Sequence, residues 1–236
     1  MEKYRNEIKY ICSEQELRQI GERIRHICKT DTHAGPENAY LVRSVYFDDE
    51  RNSCYFENEN GTQPREKFRI RIYNNSLERI TLECKRKEHG MNRKNSCPLT
   101  RDMCRSLVDG DFSVTMAESG ERKLNAAQKT LLTDFLVKYR MGHFSARVIV
   151  AYERTPYIYP VGNVRITFDR NIVSSGNVKE FMRPEICTRP VMPAGRHVLE
   201  VKYDELLPDY IYQALQNLNL QRTAYSKYYI CRKYTI

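Results

Sequence analysis

Apolar and charged residues alternate without a break in Lys67-Phe-Arg-Ile-Arg-Ile-Tyr73. A period of two predicts a strand with one apolar face and one charged face. Strands with similar character are predicted over 4–12, 40–48, 80–87, 146–154, 163–171 and 197–204, with a weaker one near 177–182. The period changes at Ser13. Ser13 and Glu16 fit a capping box, and Leu17, Ile20, Ile24 and Ile27 repeat at helical spacing, so a helix is expected to run to about Lys29. Further helices are predicted over 101–109, over 123–140, and from Pro208-Asp209 to about Leu218. Residues 30–39 and 49–64 read as turn-rich links, and 88–98 as a basic loop with room for a short strand. The tail around Ser226-Lys227-Tyr228 reads as a strand or a helical turn. The expected class is α+β: one domain over 1–236, built on an antiparallel sheet.

The charged faces repeat from strand to strand. Glu7 and Lys9 share a face, as do Arg69 and Arg71, Glu83 and Lys85, Tyr152 and Arg154, Arg165 and Asp169, and Glu200 and Lys202. The opposite faces carry residues such as Ile8, Phe68, Ile70, Leu82, Ile166, Leu199 and Val201. A sheet of this many strands tends to curl or close. If the apolar faces point outward to helices, the charges line a lumen; if they point inward, the charges are surface. Periodicity leaves both arrangements open. In the lumen case the crowded cations repel and lose hydration, and a polyanion would compensate them. Arginine forks suit phosphate oxygens, and a carboxylate among phosphates suits Mg²⁺ or Mn²⁺.

Composition narrows the partners. The 236 residues carry 39 Lys and Arg against 30 Asp and Glu, a net charge of +9, which points to an anionic partner of unspecified kind. A hydrophobic share of 41% supports a packed core. No apolar run is long enough to span a membrane, and the charged N-terminus has no signal core. The eight cysteines include no CxxC pair and read as reduced, structural thiols, with a cytoplasmic setting expected. The five histidines lack metal-ligand spacing.

In order along the chain stand EIKY (7–10), RSVYFD (43–48), KFRIRIY (67–73), LECKRK (82–87), YERTPY (152–157), VRITFDRN (164–171), VLEVKY (198–203) and YSKY (225–228). Together they resemble the VTC domain, the polyphosphate polymerase domain of the vacuolar transporter chaperone complex, within the triphosphate tunnel metalloenzyme (CYTH-like) superfamily. The resemblance implies an antiparallel β tunnel barrel with helices packed outside. It implies catalytic roles for Lys9, Arg69, Arg71, Arg154 and Lys227, and substrate-binding roles for Lys85, Tyr152, Arg165 and Ser226. Lys94, in MNRKNS, is a looser match. Lys202 joins the substrate-binding set because it shares a face with Glu200, which falls at the family's metal-binding glutamate; Mn²⁺ or Mg²⁺ is the implied cofactor.

The implied reaction moves the γ-phosphoryl group of ATP to a growing inorganic polyphosphate chain. Hydrolytic superfamily members begin with ExExK, where this chain has Arg5, Glu7 and Lys9. The missing first acid favours the polymerase over a tripolyphosphatase or nucleoside triphosphatase. A non-catalytic polyphosphate-binding module is the third reading. Nucleic acid is a poor candidate, since no RRM or KH signature is present. The SPX and membrane parts of the eukaryotic complexes have no counterpart here, so a membrane-protein partner, and membrane association through it, stay open.

Overall fold

The computed structural model describes residues 4–32, 34–35, 37–115, 123–216 and 220–235. Its antiparallel sheet contains β1 (Asn6–Ser13), β2 (Lys29–Thr30), β3 (Tyr40–Asp48), β4 (Arg65–Tyr73), β5 (Ser76–Glu88), β6 (Met91–Leu99), β7 (Ser145–Tyr159), β8 (Val164–Ser175), β9 (Arg189–Pro190) and β10 (Arg196–Tyr203). The main path runs β1-β10-β8-β7-β3-β4-β5-β6, with β2 on β7 and β9 on β8. Around it lie α1 (Glu14–Ile24), α2 (Ser53–Glu59), α3 (Arg101–Asp109), α4 (Ala126–Met141), α5 (Asp209–Gln216) and α6 (Lys227–Lys233).

The alternation resolves in favour of the lumen. Ile8, Val164, Ile166, Phe168, Leu199 and Val201 are buried with Leu17, Ile20 and Ile24 of α1 and Ile211 and Leu215 of α5. On the other side Phe68, Ile70 and Leu82 are buried with residues of α3 and α4; the Phe135 ring of α4 meets Phe47 edge-on at 5.0 Å and Phe68 at a tilt at 5.4 Å. Apolar faces meet helices, so the charged faces of the same strands must meet each other inside. Register shifts at Tyr46/Phe47, Arg71/Tyr73 and Ala151/Glu153 add the bends that curl the sheet.

The curl closes at one point. Arg5 and Asn92, at the starts of β1 and β6, exchange backbone hydrogen bonds of 3.0 and 3.1 Å. Further along β1 the late segment 222–225 covers the free edge: Thr223 N–H donates to the Lys9 carbonyl at 2.9 Å, and Arg222 bridges Tyr10. That pairing delivers Ser226 and α6 to the lumen.

Several predicted elements shift. The link 49–64 contains α2. Asp48, fully buried at the end of β3, accepts from the backbone N–H groups of Cys54 (2.9 Å) and Tyr55 (3.1 Å) and from the Tyr228 hydroxyl of α6. One carboxylate therefore caps α2 and ties it to α6. The basic loop 88–98 is β6, paired with β5 from Glu88↔Met91 to Ile80↔Leu99. The weak strand near 177–182 is a 3₁₀ turn whose Phe181 is buried in the core. The first helix stops at Ile24, since the chain turns to form β2 on β7. The capping box of Ser13 and Glu16 is present. The tail chooses a helix, with Ser226 as its N-cap. The end expected near Leu218 lies outside the described residues. No described helix is long and apolar enough to cross a membrane.

Candidate active site

The lumen is a cavity of about 530 Å³. Fourteen Lys and Arg side chains line it against three carboxylates, Glu7, Glu200 and Asp204. All twelve residues singled out from the sequence face this one space: Lys9, Arg69, Arg71, Lys85, Lys94, Tyr152, Arg154, Arg165, Glu200, Lys202, Ser226 and Lys227.

Four buried acids organise the cations. Glu83 receives Arg69 at 2.6 Å, Lys94 at 3.1 Å and Arg71 at 3.6 Å. Asp169 takes a two-pronged bond from Arg154, 2.6 and 2.7 Å, and a 2.6 Å contact from Lys227. Glu7 meets Lys85 at 2.7 Å and Lys9 at 2.8 Å. Glu200 meets Lys202 at 2.8 Å and Lys9 at 3.6 Å. Burial pushes each carboxyl up, but the cations outweigh it. Arg69 and Arg71 hold Glu83 well below the carboxylate range, Arg154 and Lys227 lower Asp169, and Lys202 and Lys9 hold Glu200 well below.

Neutral donors and acceptors finish the wall. Arg71 donates to Ser44 Oγ (3.0 Å) and the Tyr152 hydroxyl (3.3 Å), and Arg69 to the Tyr46 hydroxyl (2.8 Å). Lys227 sits 4.9 Å over the Tyr152 ring. Arg165 is held by Asp31 (2.8 Å) and the Tyr40 hydroxyl (3.1 Å). The guanidinium planes are thus fixed before any ligand arrives, which reduces the ordering cost of binding.

The sequence reading passed over several lining groups. Lys67 lies on the row of Arg69 and Arg71, and Lys87 two residues beyond Lys85; the period of two marked both. Arg5, Arg65 and Arg93 sit at strand starts. Asn58 comes from α2, which carries no periodic signal.

A model of the VTC domain family matches residues 4–236. The chain belongs to the VTC domain family. No curated protein matches this VTC domain in sequence. HpAC1 from Hippeastrum, named as an adenylyl cyclase with a dominant triphosphatase activity, is similar in fold. It has a TM-score of 0.55 and 11% identity, over 100% of this VTC domain and 97% of that chain. A protein from Bacillus halodurans named as an adenylate cyclase aligns at a TM-score of 0.49 and 13% identity, over 92% and 88% of the two chains.

Two expected results follow for the VTC domain tunnel. Arg71→Ala removes a pre-aimed fork. Tripolyphosphate affinity should fall on the order of tenfold to a hundredfold, the worth of one or two charge-assisted hydrogen bonds. Titration calorimetry reads this, and an unchanged Kd would place the Arg71 face outside the binding surface. The second result concerns protons. Burial pushes the Lys85 ammonium down; Glu7 opposes this, Lys9 and Lys202 add to it, and Lys85 comes to about 7. A bound polyanion supplies the missing negative charge and restores the proton, because an opposite charge favours the ammonium. Binding at pH 8 should therefore take up protons, and the uptake should shrink as pH falls below 7. Calorimetry in buffers of different ionisation enthalpy measures it; release of protons at pH 8 would contradict the assignment.

Proposed function

We propose that this VTC domain is a polyphosphate polymerase, transferring the γ-phosphoryl group of ATP to the end of an inorganic polyphosphate chain. The observation that carries the reading is the pre-formed cationic lumen in a VTC family chain. A terminal phosphate oxygen of the chain attacks the γ-phosphorus, the bond from that phosphorus to the β,γ-bridging oxygen breaks, and ADP leaves. The attacking oxygen is already anionic, so no strong general base is required. What the reaction needs is two polyanions side by side and stabilisation of the charge spread over the transferred group. Arg69, Arg71, Arg154 and Lys227 would bind the reacting phosphates, and Lys9, Lys85, Lys94, Arg165 and Lys202 would hold the remainder, with Tyr152 and Ser226 as neutral donors.

The donor set fits Mg²⁺ or Mn²⁺. Glu7 and Glu200 converge on the same pair of ammonium groups, Lys9 and Lys202. Thr167 lies opposite Glu200 across the β8–β10 pairing, and its buried Oγ1 has no hydrogen-bond partner. Among the described residues no three His, Cys, Asp or Glu gather in one place. One or two carboxylates, completed by substrate phosphates and water, is how Mg²⁺ is usually held at phosphate sites. Glu200 would be the ligand, and the bound ion would supply Lewis-acid neutralisation of phosphate charge.

A second reading is hydrolysis of tripolyphosphate or a nucleoside triphosphate, favoured by the triphosphatase named among its structural neighbours. Against it stands Arg5 at the position of the first acid of ExExK, its guanidinium bound to Asp204 at 2.9 Å. The test is to incubate the protein with ATP and Mn²⁺, then resolve products on a polyacrylamide gel stained for polyphosphate while following free phosphate. A ladder of growing chains is expected; free phosphate without a ladder would move the protein to the hydrolase reading.

A further inference from the structure

Helix α6 is only seven residues long, and a helix that short has little stability of its own in water. Its position is therefore set by what holds it. That position matters, because its first residue, Lys227, supplies one of the two cations on Asp169, at 2.6 Å. On one side α6 is joined to α2. Tyr229 stacks on Tyr55 at 4.8 Å and donates to Glu59 at 3.0 Å, and Arg232 reaches the side-chain oxygen of Asn52, just before α2, at 2.7 and 3.2 Å. These ties join two short helices to each other. A further one, at Tyr228, reaches the sheet. Tyr228 is buried, and its hydroxyl donates to Asp48 Oδ2 at the end of β3. Asp48 Oδ1 accepts from the backbone N–H groups of Asp49 and Cys54, both at 2.9 Å, and Oδ2 also from that of Tyr55. Burial and the Asp48 carboxylate push the Tyr228 phenol up, so it keeps its proton and donates. The Tyr228 ring stacks on Tyr46 at 5.2 Å, and the Tyr46 hydroxyl accepts from Arg69 at 2.8 Å. One phenol thus stands behind two lumen cations: Lys227, its neighbour in sequence, and Arg69, through Tyr46.

Resting on the phosphoryl-transfer reading above, we propose that Asp48 and the Tyr228 hydroxyl are positioning residues for the transfer, fixing where Lys227 enters the lumen and how the ring that carries Arg69 is seated. Asp48 itself does not line the lumen and acts only through Tyr228. Binding of a polyanion is shared among the fourteen lining cations, so a small displacement of one changes it little. The transition state is less tolerant, and a misplacement of about 1 Å can cost on the order of a hundredfold in rate. The signature of the pair is therefore a loss in kcat with ground-state binding kept.

Tyr228→Phe is the principal test. It keeps the ring against Tyr46 and the cap of α2, and removes only the hydroxyl. With the full chain, ATP and Mn²⁺, kcat for ADP formation should fall on the order of tenfold to a hundredfold. The calorimetric Kd for tripolyphosphate should be nearly unchanged. Asp48→Ala should lower kcat at least as far, and adding Tyr228→Phe to it should cost nothing more, since residues that act as one unit are not additive. Lys227 should also react faster with a lysine-acylating reagent in Tyr228→Phe, read by mass spectrometry. A Tyr228→Phe protein that melts lower yet keeps the parent's kcat below its melting temperature would overturn the proposal. So would equal falls in kcat and tripolyphosphate affinity, or losses that add in the double variant. If the parent forms no ADP, the phosphoryl-transfer reading fails instead, and Lys227 labelling still decides whether Tyr228 holds that side chain in place; unchanged labelling would overturn it.

Discussion

Glu200→Gln should lower metal-dependent turnover on the order of a thousandfold, the scale of losing a principal electrostatic group at a transferring phosphoryl. The side chain keeps its shape and loses its charge. Glu200 is buried against Lys202 at 2.8 Å and Lys9 at 3.6 Å, so the replacement leaves both ammonium groups short of a counter-charge. Polyphosphate binding should accordingly survive or tighten, since the lumen becomes more positive. Calorimetry with polyphosphate and a turnover assay with Mn²⁺ separate the two effects. Full turnover in the variant would remove Glu200 from the metal role, while loss of polyphosphate binding along with turnover would point to a damaged lumen.

Asp169→Ala has the largest expected effect on stability. The carboxylate is fully buried and receives three contacts between 2.6 and 2.7 Å from Arg154 and Lys227. Its loss leaves two buried cations facing each other, and breaking a buried pair costs roughly 3–5 kcal/mol. Because Arg154 and Lys227 hold Asp169 below the ordinary carboxylate range, its contribution is complete at neutral pH and is lost on acidification through that lowered value. Tripolyphosphate offers replacement negative charge and should raise the melting temperature of the variant; a ligand at 100 times its Kd adds about 2.7 kcal/mol. Thermal melts with and without ligand check both statements. A variant as stable as the parent would show that Arg154 and Lys227 find other partners.

Much of the architecture is legible in the order of residues because barrel strands alternate cleanly. Phe68, Ile70 and Ile72 pack outward and Lys67, Arg69 and Arg71 face inward, as a period of two requires. Helix α2 is illegible for the opposite reason. Only Cys54 and Tyr55 are buried, and its N-terminal N–H groups are capped from Asp48, a strand residue. Strand β6 hides because Cys97 and Leu99 are its only buried residues, and its inward side is polar. The 3₁₀ turn at Val178–Glu180 reads as extended from its apolar neighbours, although Phe181 enters the core from a turn. The lumen itself follows the pattern of alternation. Its pairings do not: that Glu83 binds Arg69 from the neighbouring strand, or that Asp169 serves both Arg154 and Lys227, depends on register and on α6, which no local pattern encodes.

The strand order has a consequence for how the molecule comes into being. β1 pairs with β10, and its remaining edge pairs with segment 222–225. β1 therefore gains its ladder partner β10 and its cover from 222–225 only after most of the intervening sheet has been made, although Arg5 can bridge Asn92 earlier. Contacts so distant in sequence slow folding, since loop closure must precede the reward. During that wait the half-built sheet exposes an unpaired edge, the usual template for misassembly between chains. A nascent chain halted before Arg222 would hold most of the basic wall and an open seam, and its tunnel would close only when segment 222–225 arrives.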